Sequence, residues 1–426
     1  MKIQKILKRL LQLHPKSIDL SLNRIKRLLK DLDNPQEKIT NSVQVVGTNG
    51  KHSFCSTLRE IIETAGYTVN LNISPSLKKF NERYYLSGKY ISDEQLQDLL
   101  IEVEKINKNK NITFHEFICA CFFLAASRNK SDINILESGL FFRLDASNVL
   151  KKNIASVIMP IGIDHKDFLK KGTIDEIIFE KCSALLSGSK IYVSQQTEEV
   201  LKKIKKNIIN NTSKKIIFGE NYNYEKNTFG FCYSDNQGKI NLPLPNLSGD
   251  FQISNVSTAI ATARGLDKFK ITNSHIKEAI TKIRSEGRLQ NITQGKLRNY
   301  VSKNNRILID GAHNPLAASA VEKYLKTLNS GKKIIMLLGM MANKEHKKFI
   351  QTFKNSVKSI ITLDIPNQTN FIEKEKLSEI AQSCGIPSKT ENSIESALRN
   401  TSRENSDAII FCTGSLYFAG EILNLN

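Results

Sequence analysis

The 426-residue sequence predicts an α/β fold in two domains, each a mostly parallel sheet covered by helices. Three observations lead there. Apolar runs of strand length alternate with amphipathic helical stretches between residues 43 and 194. A second series of such runs begins at residue 306. The chain is also longer than one domain usually is.

The elements can be read in order. The opening stretch, "MKIQKILKRLLQLHP", is basic and puts Ile3, Ile6, Leu7, Leu10 and Leu11 at helical spacing, so a helix docked on the domain is expected. It lacks the continuous apolar core and small-residue cleavage site of a secretory leader. "VQVVG" at 43–47 reads as a buried strand. In Ser53–Ala65, Phe54, Leu58, Ile61, Ile62 and Ala65 form one apolar helical face, and Gly66 supplies the stop. "INILES" at 133–138, "ASVIMPIGI" at 155–163 and "KIYVS" at 190–194 continue the strand series. Residues 208–240 are polar and Asn-rich, and a hairpin-like surface excursion is expected. "RILIDGA" at 306–312, "KIIMLLGM" at 333–340, "SIITLDI" at 359–365 and "AIIFCTGS" at 408–415 form the second series. A boundary near residue 294, after "EGRLQNI", divides the chain into 1–293 and 294–426. No internal repeat is evident.

Composition narrows the class. Hydrophobic residues make up 40% of the chain, enough for an ordinary core and too many for a disordered one. The 62 Lys and Arg against 42 Asp and Glu leave a formal charge of +20. Such a surface attracts polyanions. No Arg-rich tract or aromatic-interleaved basic motif concentrates it, so a lysine-rich bias on solvated faces is expected and nucleic acid is not the expected partner. The seven cysteines are scattered, with no C-x-x-C pair, which points to a reducing compartment over a disulfide framework. No apolar run approaches the roughly 20 residues that cross a bilayer. A cytoplasmic protein without a membrane partner is expected.

"VQVVGTNGKHS" at 43–53 carries the chemistry. An apolar strand enters the loop and an amphipathic helix leaves it. Gly47 and Gly50 let the backbone curl so that N–H groups converge on phosphates at a helix N-terminus. Lys51 adds a point charge for the terminal phosphates. The ordinary P-loop places Ser or Thr directly after its lysine to hold Mg²⁺. Here His52 follows, and Ser53 comes one residue later.

The spelling Gly47-Thr48-Asn49-Gly50-Lys51 resembles the Mur-ligase superfamily, and further blocks narrow the resemblance to its folylpolyglutamate synthase/dihydrofolate synthase branch. That branch continues with Gly and then Ser or Thr, so His52 replaces a glycine and Ser53 keeps the hydroxyl position. "NISPSLKKFNERYYLSG" at 72–88 resembles the branch's Ser-Pro-His-Leu and Phe-Asn-Glu-Arg block, with Ser76 where His is usual. "LESGLFFRLDASNV" at 136–149 resembles its Gly-Gly-Arg-Leu-Asp-Ala-Thr-Asn block, with Phe141-Phe142 in place of the two glycines. "IGIDHKDFL", the helix carrying Glu180-Lys181, "GDFQISN", "EGRLQ", "DGAHNPLAA", "GMMANKE" and "TGSLYFAGEI" follow in family order, from about residue 19 to 422.

The resemblance implies a P-loop-type, mostly parallel ATPase domain followed by a smaller Rossmann-like α/β domain. It implies ATP at Gly47, Thr48, Asn49, Gly50, Lys51, Ser53, Asn255, Arg288 and Asp310. Mg²⁺, as two ions, would take Ser74, Glu137 and His165 as protein ligands. Taken alone each has a plain reading: Ser74 as a turn before Pro75, Glu137 as a strand-end charge, His165 as a satisfied histidine. Lys181 matches a lysine that is carbamylated in the family, which turns an ammonium unable to ligate metal into an anionic oxygen donor. Asp310 and His313 match cleft residues of the second domain. Ser415 and, more loosely, Lys344 would serve the incoming glutamate. Thr113 in "ITFHEF" and Asp145 match contacts to the pterin, with His115 where an aromatic is expected.

The function implied is an ATP-dependent ligase, with Lys51, Lys181, His165, Asp310 and His313 as its catalytic set. L-glutamate would be added to dihydropteroate, to the γ-carboxylate of tetrahydrofolate, or to both, through an acyl phosphate. The expected partners are these folates, L-glutamate and ATP, and a monomer is expected. A Mur-like ligase acting on another carboxylate and a non-catalytic nucleotide-binding protein are the alternatives.

Overall fold

The computed structural model describes residues 2–14, 19–328 and 331–426. Met1 and Pro15 of the opening stretch lie outside them. The chain forms two compact units. The first comprises 1–161, 173–246 and 253–283, and the second 162–172, 247–252 and 284–426.

The first unit is built on an eight-stranded sheet, in the order Lys89–Tyr90, Tyr84–Leu86, Val69–Asn72, Ile133–Glu137, Ser42–Val46, Ala155–Ile158, Lys190–Val193 and Lys214–Ile217. Six strands run parallel, and the two at the Lys89–Tyr90 edge are antiparallel. Ser42–Val46 is buried throughout and lies between Ile133–Glu137 and Ala155–Ile158, as a central parallel strand with both faces covered must. Its register sets Val45 against Glu137 on one side and Val157 on the other. The C-terminal end of that strand is where a parallel α/β sheet opens its ligand crevice.

A helical layer covers one part of this unit. Phe114–Arg128 is apolar almost all round, and Phe117 to Ala126 are all buried, including Cys119 and Cys121. Lys2–Leu10, Asn23–Asp31 and Asp93–Asn107 share its core. Ile6, Leu7 and Leu10 of the opening helix are buried there, and Arg9 pairs with Glu104. The docked amphipathic helix is thus as expected. All seven cysteines are free. Among the described residues no helix is long and apolar enough to cross a membrane.

Two local readings need correction. The helix after the glycine loop spans Lys51–Thr64, starting two residues earlier than the apolar face suggests, because Gly50 in a left-handed conformation (φ 79°) caps it directly. Residues 208–240 are more than a surface excursion. Lys214–Ile217 closes the main sheet, and Tyr222–Asn227, Gly230–Asp235 and Gly238–Pro243 form a three-stranded antiparallel sheet. Tyr222, Phe231 and Tyr233 of that sheet are buried, so alternate side chains anchor a ribbon whose other face is polar.

The second unit holds a six-stranded sheet, ordered Gln290–Ile292, Arg306–Ile309, Ala408–Thr413, Lys333–Leu338, Ser359–Thr362 and Ser388–Thr390. Only Gln290–Ile292 runs antiparallel. The loops leaving Ile309, Leu338 and Thr413 carry Asp310, Lys344 and Ser415 off the C-terminal ends of neighbouring strands.

Candidate active site

The phosphate loop lies between Ser42–Val46 and the helix Lys51–Thr64. Gly47 (φ 149°) and Gly50 (φ 79°) are both at positive φ. A Cβ on Gly47 would stand 2.7 Å from Met159 Cβ, and one on Gly50 would stand 2.5 Å from Asn255 Oδ1. Neither position has room for a side chain. The amides of Thr48 and Asn49 donate to the Pro160 carbonyl at 2.9 and 3.1 Å, which anchors the loop to the next strand's exit. The amides of the helix's first turn lack intrahelical acceptors. Lys51 Nζ lies over the loop, 3.1 Å from the Gly47 carbonyl and 3.3 Å from that of Thr48. This turn fits a polyphosphate: a helix N-terminus and a lysine ammonium lie together in it.

Beside the loop, the Ser74 amide donates to Glu137 Oε2 at 3.3 Å, and Arg83 Nη1 donates to Ser74 Oγ at 3.2 Å. Glu137 is buried at the end of its strand. The charges of Glu137 and Lys51 both reach Cys55, whose thiol is pushed up by burial first and by Glu137 next. A hydroxyl and a carboxylate adjoining a phosphate loop are hard oxygen donors of the kind Mg²⁺ takes. No group of three His, Cys, Asp or Glu side chains gathers in metal-binding geometry among the described residues. A Mg²⁺ ion that draws most of its shell from phosphate and water needs no such cluster.

Lys181 is buried on the helix Ile174–Cys182. Its Nζ donates to the Gly47 carbonyl at 3.0 Å and the Leu140 carbonyl at 2.8 Å, and sits 5.4 Å from the Phe141 ring centre. The Phe141-Phe142 pair fills the interior, each ring about 1% exposed, and so does not project as an open wall. Backbone amides of Phe142 and Arg143 donate to the Glu180 carbonyl, and the Arg143 guanidinium grips the Glu180 carboxylate with Nη2 at 2.7 Å. This clamp fixes the turn of helix that carries Lys181.

Thr113 and Asp145 are both committed to internal bonds. Thr113 caps Phe114–Arg128 in a reciprocal box with Glu116. Asp145 Oδ1 accepts from the Ser147 amide and hydroxyl at 2.9 and 2.6 Å, and Oδ2 from the Gly139 amide at 3.1 Å. His115 Nε2 stands 3.4 Å from Oδ2. Burial opposes the charge on Asp145, but His115 and Ser147 outweigh it and hold the group at about 2. Burial likewise disfavours a charged His115, yet the Cys119 thiol and Asp145 keep its ring well above the usual imidazole range.

In the second unit Asp310 is buried and accepts from the amides of Leu289 (2.8 Å) and Ala312 (2.7 Å). Burial pushes its carboxyl up, with Arg288 pulling the other way. Arg288 lies against Gly311, where a Cβ would stand 2.9 Å from Nη1. Ser415 Oγ caps the helix Leu416–Asn424 by accepting from the Tyr417 amide. His165 is in a left-handed conformation (φ 55°). The residue before it, Asp164, accepts from Lys344 Nζ at 2.6 Å, the His165 amide at 2.9 Å, Asn314 Nδ2 at 3.1 Å and His313 Nε2 at 3.2 Å. Burial would raise this carboxyl, but His313, His165 and Lys344 hold it well below the usual carboxylate range.

Comparison with known proteins bears on both units. The Mur ligase middle domain matches residues 45–263, and the Mur ligase glutamate ligase domain matches 287–416. The dihydrofolate synthase/folylpolyglutamate synthase of Buchnera aphidicola subsp. Acyrthosiphon pisum is 31% identical over 318 residues, covering 74% of this chain and 72% of that protein. The chain belongs to the folylpolyglutamate synthase/dihydrofolate synthase family. It is an ATP-dependent ligase of the Mur superfamily. The fold is shared with E. coli FolC in complex with DHPP and ADP, at TM-score 0.87 and 24% identity over 99% of this chain and 97% of that one. It is shared also with the bifunctional folylpolyglutamate synthase/dihydrofolate synthase from Yersinia pestis complexed with AMPPNP and Mn ion, at TM-score 0.86 and 22% identity over 99% and 97%.

For a folylpolyglutamate synthase/dihydrofolate synthase family member, the first unit brings Gly47 to Ser53 together with Asn255, Lys181, Ser74 and Glu137. The second unit brings Arg288 to Asp310, and His313 and Lys344 to Asp164. His165 belongs to the second unit. Sequence reasoning passed over Asp164, Asn314, Arg83 and the Arg143–Glu180 clamp. Asp164 could have been flagged as the acidic neighbour of a candidate ligand; three of its four partners could not, since two lie about 150 residues away and one 180.

Proposed function

We propose that this chain joins L-glutamate to the carboxylate of dihydropteroate, of a reduced folate, or of both, with cleavage of ATP to ADP and phosphate. The observation that carries the reading is the loop Gly47–Lys51 lying against Ser74, Glu137, Asn255 and Lys181. The first-turn amides and Lys51 would hold the phosphates, and Asn255 the nucleoside side. Thr48, Asn49 and Ser53 would shape the loop, with Arg288 and Asp310 assigned to ATP as well. Ser74, Glu137 and His165 are proposed ligands for Mg²⁺, as two ions; the metal would supply charge neutralisation on the phosphates.

The substrate carboxylate attacks the γ-phosphorus, and the bond to the ADP oxygen breaks. The glutamate amine then attacks the acyl carbon, phosphate leaves, and the amine proton passes to solvent or a nearby base. No side-chain nucleophile is needed; positioning and charge neutralisation supply the rate. Lys51 compensates charge that develops between the β- and γ-phosphates. Lys181 is proposed to react with CO₂ to a carbamate. Thr113 and Asp145 are proposed for the pterin end, Ser415 and Lys344 for glutamate, and His313 with Asp310 as catalytic residues of the second domain. A cytoplasmic monomer is proposed, its second domain running from residue 284 and not 294, because Gln290–Ile292 belongs to the second sheet.

An ADP-release assay tests this, with dihydropteroate and then tetrahydrofolate, each with and without glutamate. Glutamate-dependent release with either supports the reading, and the pair shows which activities the chain has. ATP binding without turnover on both would remove the folate assignment and leave a Mur-like ligase on another carboxylate or a non-catalytic nucleotide binder.

A further inference from the structure

Asp164 is the most heavily engaged side chain in the second unit that the proposed reaction leaves without a task. Its two oxygens offer about four lone-pair positions, and four donors from four residues fill them. Oδ1 takes Lys344 Nζ and the His165 amide; Oδ2 takes Asn314 Nδ2 and His313 Nε2. The Asp164 and Lys344 side chains are 6% and 9% exposed. A carboxylate so filled has no capacity for a substrate atom. It acts through the groups it holds.

Those groups share a feature. His313 and Lys344 are nitrogen donors on loops that leave the two strands flanking Ala408–Thr413, and Asn314 caps the helix Pro315–Thr327. All three lie within the segment matching the glutamate ligase domain. His313 is held from its other side as well, with Nδ1 2.9 Å from the Gly311 carbonyl, so both ring nitrogens face acceptors and the ring has one orientation. Lys344 carries four rotatable bonds, and a single short ion pair removes that freedom.

We infer that Asp164 is a positioning residue that fixes His313 and Lys344 as a preset pair for the incoming amino acid's carboxylates. Its kinetic readout rests on the ligase reading, whereas its chemical readout does not. Without Asp164, Lys344 keeps its charge but loses its geometry, and glutamate must order it on binding.

The test uses the full-length chain as Asp164→Asn, Lys344→Met and the double variant. The glutamate concentration for half-maximal ADP release should rise about tenfold or more in each single variant. If Asp164 works through Lys344, the double variant should stay within about twofold of Lys344→Met, a strongly non-additive cycle. AMPPNP affinity, measured by calorimetry with Mg²⁺, should change less than about threefold. Independently of turnover, acetic anhydride labelling of Lys344, read by mass spectrometry, should be slow in the native chain and accelerate about tenfold in Asp164→Asn.

Unchanged Lys344 labelling in a folded Asp164→Asn chain overturns the inference, as does an unchanged half-saturating glutamate concentration or a multiplicative double variant. A native chain with no glutamate-dependent ADP release defeats the ligase reading alone, and the labelling result then decides the position of Asp164. Should Asp164→Asn fail to fold, the double variant removes the orphaned cation too and is expected to fold. If it fails as well, Asp164 is a fold anchor and the inference is wrong.

Discussion

Asp145 and its neighbour His115 show how a pair with one buried member sets a pH dependence. Asp145 is held at about 2 against an ordinary 3.8. Its folded value is depressed, so the stability it contributes is present above 3.8 and lost as pH falls through about 2. The shift corresponds to about 2 kcal/mol near neutral pH. His115 has the opposite sign. Its folded value is raised above 6.5, so its contribution is full below 6.5 and fades as pH rises through the folded value. Urea unfolding of the native chain and Asp145→Asn should therefore differ most near pH 6, with roughly half of the difference left at pH 3. An equal difference at both pH values would mean the carboxylate charge is not what matters. His52 is a simpler case. It sits one residue inside the helix Lys51–Thr64 and takes no hydroxyl away, because Ser53 follows it. His52→Gly should leave ATP-dependent turnover within about tenfold, or about 1.4 kcal/mol. Collapse of turnover on that change would give His52 a part in the phosphate chemistry.

At the scale of elements, the loop-to-helix junction is the most constrained. Gly50 combines a left-handed backbone with a Cβ position already occupied by Asn255. Gly50→Ala should cost about 1–2 kcal/mol from the backbone alone and displace Asn255 besides. The chain should still fold, while isothermal titration with AMPPNP should show at least a tenfold weaker affinity; unchanged binding would mean that the loop re-forms without Asn255. Thr113 is an element-scale residue too. Thr113→Ala removes half of the box that starts Phe114–Arg128 and should cost about 1 kcal/mol in thermal or urea unfolding. Strands such as "VQVVG" and "AIIFCTGS" were legible because a buried parallel strand is a continuous apolar run. The three-stranded sheet after residue 221 was only half legible. Its burial rests on single alternating residues, Tyr222, Phe231 and Tyr233, among polar ones. The start of the helix Lys51–Thr64 differs from the sequence reading because an apolar face marks where a helix packs and a left-handed glycine marks where it begins. Site residues in contiguous motifs could be read. What each one touches could not, as Asp164 with Lys344 and Arg143 with Glu180 show, since tertiary pairing leaves no local trace.

At the scale of the whole molecule the chain carries a formal charge of +20, and the proposed substrates are all anions. A net field of this sign raises the encounter rate of anionic ligands without altering the chemistry once they are bound. The two effects separate with salt. Screening acts over about 10 Å at 0.1 M and about 3 Å at 1 M, so encounter is damped while the short contacts of buried groups persist. Raising NaCl at fixed free Mg²⁺ should therefore lower kcat/KM for the folate and for ATP severalfold, with kcat changing by less than about twofold. Replacing chloride with an equal ionic strength of acetate should give the same curve, because screening depends on charge and not on the ion's identity. If kcat falls along with kcat/KM, salt is reaching the buried groups around Gly47 and Asp164. If neither parameter moves, the +20 is a solvated compositional bias, and steering plays no part in how this enzyme collects its substrates.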